Sequence, residues 1–249
     1  MTGTGLHVKR GGSDSGQPTL LLLHGLGAVG EVWQGLEEVL AERWPGSWVI
    51  PDLPGHGRSA QATTYSFGGM TAALAEQVRG PLVVLGHSLG GVLALTLSSG
   101  WFGVPVAAAC GLGIKVRWSE SELAKAAEVA AKPSRTFATR EEAADRWIKV
   151  AGLHGLWEPA AASVVETDGG WQTALDPRAF GVGAPDMAGL LAASRAKVVL
   201  AAGENDPMCP GEDLLAVSPE AAFLPGLGHN AHVENPAALW PLLETLLAL

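Results

Sequence analysis

The chain has 249 residues, 47% hydrophobic and 16% charged. That is enough apolar material for one sizeable domain and too much for a disordered chain. Its 16 basic and 25 acidic residues leave a formal charge of −9, which argues against a dominant nucleic-acid-binding face. Two cysteines, Cys110 and Cys209, build neither a disulfide framework nor a zinc-finger site. Residues 1–14 are polar and Gly-rich and lack the apolar centre of a signal peptide. No apolar run approaches the roughly 20 residues needed to cross a bilayer. A cytoplasmic protein without a membrane span is expected.

The predicted elements alternate. A strand over Thr19–Leu23 ends at His24-Gly25, and a helix follows near 31–42. A second apolar run, 48–50, ends at Pro51-Asp52 and precedes a helix near 69–78. A third, 82–85, ends at Gly86 and leads into a helix over Leu89–Ser98. A fourth strand is read at 104–110. A fifth, 197–202, ends at Gly203, with a helix near 212–216 and a sixth strand at 221–224. An amphipathic helix over 236–249 closes the chain. Short runs that are apolar throughout, bounded by Gly or Pro, fit strands covered on both faces. Their alternation with helices predicts an α/β fold, a mostly parallel central sheet with helices on both sides. Ligands of such sheets bind beyond the carboxyl ends of the strands.

Residues 114–186 break the rhythm and read as a helical insertion without clear strands, so the core is expected over 1–113 and 187–249. Ser119 with Glu122, and Thr139 with Glu142, each have capping-box spacing ahead of an Ala-rich helix. Glu158-Pro159 reads as a further helix start and Asp168-Gly169-Gly170 as a turn. Four tryptophans lie here: Trp118, Trp147, Trp157 and Trp171. Large aromatics ordinarily bury area for stability, so packing is the first expectation for them. Lining of an apolar substrate pocket is the second.

The central chemical signal is Gly86-His87-Ser88-Leu89-Gly90-Gly91. It follows an apolar strand and opens a helix, the context of a Gly-x-Ser-x-Gly turn that holds a serine in a strained backbone. Gly86 and Gly90 flank a turn too tight for side chains. The helix beginning at Leu89 aims free amide hydrogens and its positive end at the serine. An ordinary Gly-rich turn with an idle serine is the competing reading of this motif by itself. A serine hydroxyl needs a base, and the base needs an acid to fix its tautomer. Partners of such a turn follow in the order acid, then histidine. Gly203-Glu204-Asn205-Asp206 and Gly228-His229 supply that order, each just past a predicted strand.

With these motifs, and with Leu23-His24-Gly25-Leu26-Gly27 and Asp52-Leu53-Pro54-Gly55-His56-Gly57-Arg58-Ser59, the chain resembles the α/β-hydrolase superfamily, in its serine-dependent branch with a helical lid. The resemblance covers nearly the whole chain except the insertion. It implies Ser88 as nucleophile, Asp206 as acid and His229 as base. It implies the backbone amides of Leu26 and Leu89 as the oxyanion hole, residues 114–186 as the lid, and no metal or organic cofactor. The elbow serine sets the chain apart from superfamily members that use an aspartate there, the haloalkane dehalogenases and epoxide hydrolases.

Each assignment has a competitor. His232 rivals His229 as base, and Glu204 and Asp213 rival Asp206. His24, His56 and His87 are expected to be structural, as is Asp52, which the family uses to brace the turn after it. Lys115 and Arg117 either meet an anionic substrate group or lie on a solvated face, and the second is the ordinary case. The expected reaction is hydrolysis of a carboxylic ester of a small or medium, mainly apolar acyl compound through an acyl-enzyme. A lactone or enol-lactone hydrolase, a thioesterase or a carbon–carbon bond hydrolase would use the same residues. A small-molecule receptor or signalling protein with little turnover is the alternative of another class. The expected partner is thus a small-molecule acyl substrate and no nucleic acid; oligomeric state is left open.

Overall fold

A computed structural model describes residues 5–158 and 161–248. Residues 1–4 of the polar opening, Pro159 of the predicted helix start and Leu249 of the closing helix lie outside the described residues. Seven strands form one sheet: β1 (Val8–Gly12), β2 (Thr19–Leu23), β3 (Ser47–Pro51), β4 (Leu82–His87), β5 (Val106–Leu112), and, after the insertion, Lys197–Gly203 and Ala222–Leu224. β1 lies antiparallel to β3 at one edge, and every other pairing is parallel. The sheet has β4 at its centre, between β2 and β5.

The four leucines of β2 show why the sheet is covered on both faces. Leu20 and Leu22 join one core cluster, Leu21 and Leu23 another, and all four are wholly buried. Each such side chain stabilises the fold by about 1.5–3 kcal/mol, so burial outweighs the modest β-propensity of leucine. On the first face α1 (Gln34–Arg43) contributes Leu36 and Leu40. On the second, α2 (Phe67–Ala75) contributes Met70 and Leu74, and α3 (Leu89–Ser98) contributes Leu93 and Leu97.

The insertion carries α4 (Glu120–Ala130) and α5 (Arg140–Ala151). Both expected capping boxes are formed, Ser119 with Glu122 and Thr139 with Glu142, each with side chain and backbone bonding reciprocally. The expectation of a segment without strands is corrected here. Three short strands, β6 (Thr136–Phe137), β7 (Val164–Thr167) and β8 (Gly170–Thr173), pair as an antiparallel sheet in the order β6-β8-β7. They hold Glu166, Thr167, Gln172 and Thr173 rather than an apolar run. Asp168-Gly169 forms the turn of the β7–β8 hairpin. The predicted turn was thus legible, and the strands it joins were too polar to read.

After the insertion, α6 (Met187–Ala193) precedes β9 (Lys197–Gly203), α7 (Gly211–Val217), β10 (Ala222–Leu224), α8 (Ala231–Glu234) and α9 (Trp240–Leu247). α9 closes the first face with Leu242, Leu243 and Leu246. Because β2, β4, β5, β9 and β10 run parallel, the residues just past their ends share one rim. That rim carries His24, Ser88, Gly113, Asp206 and His229.

Candidate active site

Ser88 sits between β4 and α3 at φ 51° and ψ −115°, and among the described residues it is the one non-glycine with positive φ. A side chain in this region is strained, and such strain persists where surrounding structure enforces it. Here the enforcement is explicit. The Ser88 N–H donates to Leu112 O at 2.8 Å, and its carbonyl accepts from Gly91 N and Val92 N. A Cβ at Gly86 would collide with the Gly90 backbone, and one at Gly90 with the Leu23 carbonyl. Leu89 is the first residue of α3, so its N–H has no acceptor within the helix. The loop after β2 comes close as well, since a Cβ at Gly25 would lie 3.3 Å from Ser88 Cβ. Leu26, the next residue, is half-buried beside this turn.

Asp206 follows β9, and its carboxylate is wholly buried. Oδ1 accepts from Met208 N at 2.8 Å and Cys209 N at 3.2 Å. His229 Nδ1 lies 3.0 Å from Oδ1 and 2.9 Å from Oδ2. A carboxylate only accepts, so Nδ1 is the ring nitrogen that donates here. Gly113, past the end of β5 at φ +62°, packs against this pair. A Cβ there would lie 3.1 Å from Asp206 Oδ2 and 3.4 Å from His229 Nδ1. The rings of His87 and His229 are 4.7 Å apart, and His87 Nε2–H donates to His229 O at 2.8 Å. The residue before Ser88 thereby touches the histidine loop.

The competing histidines are placed differently. His232 is 1% exposed, its ring tilted against those of Trp33 at 4.5 Å and His87 at 4.3 Å. Its Nδ1 has no hydrogen-bond partner among the described residues, and burial with nearby His229 and His24 pushes its pKa down to about 3. His24 uses both ring nitrogens: Nδ1–H donates to Gly25 O at 2.8 Å, and Nε2 accepts from Leu53 N at 2.9 Å. His56 is bonded to Pro54 O at 3.0 Å and held down to about 3 by burial and by His24. His87 is likewise driven well below its ordinary value, first by burial and then by His232 and His229.

Of the carboxylates, Glu204 accepts from Gly226 N at 2.8 Å, and Asp213 pairs with Arg117 at 3.2 Å. Asp52 accepts from Gly30 N and Arg58 N, bracing the turn after β3. Lys115 pairs with Glu122 at 2.7 Å and lies over the Trp118 ring.

The insertion reaches the site through the end of α5. A Cβ at Gly27 would lie 2.8 Å from Val150 Cγ1. The Asn230 side-chain amide donates to Gly152 O at 2.9 Å. Of the four tryptophans, Trp147 is wholly buried in the main core, and Trp171 packs on Ala143, Ala144 and Val164. Trp118 is half-buried, its Nε1–H donating to Lys115 O at 3.0 Å. Trp157 is half-buried at the edge of the main core and borders a surface cavity of about 610 Å³ lined with Ala144, Ile148 and Lys149 of α5.

Two residues near the site carry no sequence signal used above. Glu234 accepts from Gly228 N at 2.7 Å and Asn230 N at 3.1 Å, the two amides that bracket His229. Asn230 joins that loop to α5. The spacing of Glu234 after Gly228-His229, at the end of a four-residue helix, was the available cue.

A mostly parallel sheet of this order, with a strained serine turn at its centre and an acid–histidine pair past later strands, defines a class of protein. The chain matches the model of the "Alpha/beta hydrolase family" over residues 20–241 and belongs to that family. It is 40% identical over 98 residues to lipase LipV of Mycobacterium tuberculosis, covering 38% of this chain and 36% of that protein. It is 37% identical over 93 residues to a pimeloyl-[acyl-carrier protein] methyl ester esterase of Nitrosomonas europaea, covering 37% and 35%. The matches thus span about a third of these curated relatives. Among solved structures, E-2-(acetamidomethylene)succinate hydrolase superposes with a TM-score of 0.78 at 20% identity, over 98% of this chain and 95% of that one.

Proposed function

We propose that the protein is a serine hydrolase that cleaves a carboxylic ester of a small or medium, mainly apolar acyl compound. Ser88 is the nucleophile, His229 the general base and Asp206 its acid partner. The observation that carries this reading is the contact of His229 Nδ1 with both oxygens of buried Asp206, at 2.9 and 3.0 Å, on the rim that also bears strained Ser88. His229 Nε2 takes the hydroxyl proton as Ser88 Oγ attacks the carbonyl carbon. Asp206 stabilises the imidazolium that results. The Leu26 and Leu89 amides receive the oxyanion, each contributing about 3 kcal/mol to the transition state. His229 then protonates the departing alcohol, and the acyl group stays on Ser88. Water, deprotonated by the same histidine, releases the acid and restores the serine. No metal or organic cofactor enters these steps.

Lactones, thioesters and carbon–carbon bonds suit the same residues, but two of the curated relatives are by name a lipase and a methyl ester esterase, which favours an ester. Residues 114–186 serve in this reading as the lid of a hydrolase core formed by 1–113 and 187–249. The contacts of Val150 with Gly27 and of Asn230 with Gly152 support it, since both lie beside the reacting groups. Trp118 and Trp157, each half-buried, are the tryptophans suited to a pocket wall, whereas the packing of Trp147 and Trp171 suits a stabilising role. Free, buried Cys110 and Cys209 fit a reducing cytoplasmic setting. Among the described residues, no helix is long and apolar enough to cross a membrane.

The test is turnover of short p-nitrophenyl esters by the wild type and by Ser88→Ala. The reading expects Ser88→Ala to lose at least about 10³-fold in kcat while remaining folded. Negligible wild-type turnover, with ligand-induced stabilisation, would instead favour a receptor.

A further inference from the structure

The loop that carries His229 is short, begins at a glycine and ends in a helix of four residues. A base needs its imidazole held within about 0.5 Å of the reacting geometry, so something outside the loop's own backbone must hold it. Side-chain contacts do, among them the Asn230 amide, which donates to Gly152 O at 2.9 Å. Glu234 Oε2 accepts from Gly228 N at 2.7 Å, and Oε1 accepts from Asn230 N at 3.1 Å. The carboxylate thus closes a ring on each side of His229. His87 Nε2–H holds the His229 carbonyl at 2.8 Å. The Glu234 backbone N–H also returns to Asn230 O at 2.9 Å, so both its backbone and its carboxylate bond to one residue. Hydrogen bonds to a carboxylate are roughly twice as strong as those between neutral groups.

We infer that Glu234 is a positioning residue for the base, with its bidentate carboxylate fixing the backbone of His229 so that the ring stays aligned between Asp206 and Ser88. A carboxylate suits the task because both of its oxygens accept. A glutamine offers one acceptor and turns an N–H₂ towards the second amide. An aspartate keeps the charge but is one methylene shorter and does not span both amides. A side chain on Gly228 would crowd the same carboxylate, since a Cβ there lies 3.0 Å from Glu234 Oε1.

The inference rests on the reading of His229 as the base, so the test carries His229→Ala beside Glu234→Gln and Glu234→Asp. Kinetics are measured on a short p-nitrophenyl ester, together with melting temperature. The downfield proton NMR signal of the His229 Nδ1–H against Asp206 is recorded without substrate. Glu234→Gln is expected to lower kcat by about 10- to 100-fold with KM within about twofold, and to broaden or erase the downfield proton. Glu234→Asp should fall between it and the wild type, and it decides the matter if the glutamine variant does not fold. Loss of thermal stability alone, with kcat and the downfield signal unchanged in either folded variant, overturns the clamp and leaves the base assignment standing. Near-normal turnover by folded His229→Ala overturns the base assignment itself.

Discussion

Ser88, Asp206 and His229 lie far apart in sequence, and one short contact brings the last two together: Nδ1 of His229 sits within 3.0 Å of both Asp206 oxygens. The same sequence offered His232 as a rival base only three residues on. Geometry separates them by environment, since His232 is buried against the rings of Trp33 and His87 while His229 faces a carboxylate. His229→Ala is therefore expected to lose at least about 10³-fold in kcat, whereas His232→Ala should lower the melting temperature and keep most of the turnover of the folded fraction. Gly113 yields a second prediction. Its backbone is left-handed, and a methyl group there would press on Asp206 Oδ2. Gly113→Ala should lower kcat by about 10- to 100-fold, measured on the same ester, with a smaller effect on KM. The serine turn and the order of acid and histidine were legible because they rest on glycines and strand ends. Glu234 and Asn230 were not, because the carboxylate of one meets backbone amides and the side chain of the other meets a backbone carbonyl, and neither partner is identified by its residue type.

At the scale of elements, legibility followed apolar content. The wholly buried runs of β2 and β4 could be read directly, and α3 lies over the residues the pattern predicted. β1, with the sequence VKRGG, escaped because it is an edge strand with mostly exposed side chains. The insertion sheet escaped because its strands are short and polar, although the turn between β7 and β8 was clear. The capping boxes of α4 and α5 were legible because the side chain and the third residue bond reciprocally at a fixed spacing. Trp147 on α5 is wholly buried in the main core, which also holds Trp33 and Leu153. Trp147→Ala should cost about 3–5 kcal/mol of stability, read by urea denaturation, and should leave the order of preference among acyl lengths unchanged. A shifted preference with normal stability would assign that ring to the acyl pocket instead.

For the whole molecule, four buried histidines set the response to acid. His24, His56, His87 and His232 all have pKa values below the ordinary 6.5, with burial the first cause of each. They stay neutral in the folded state, while the unfolded chain takes up protons below about pH 6.5. Their contribution to stability is therefore complete above that pH and is lost as the pH falls towards their folded values, about 3 for His56 and His232. Each contributes a slope of up to about 1.4 kcal/mol per pH unit. Urea midpoints should fall steeply between about pH 6.5 and pH 5, and less steeply in His232→Phe. Cys110 and Cys209 are buried with thiols pushed up to about 12, so dithiothreitol and iodoacetamide should leave activity unchanged. The most direct measurement of the central claim is intact-protein mass spectrometry after treatment with a fluorophosphonate, followed by peptide mapping. One adduct per chain on Ser88, absent from Ser88→Ala and slowed by orders of magnitude in His229→Ala, is the predicted result. A wild-type chain that hydrolyses esters while Ser88 stays unlabelled, or that takes the label on another residue, would contradict it.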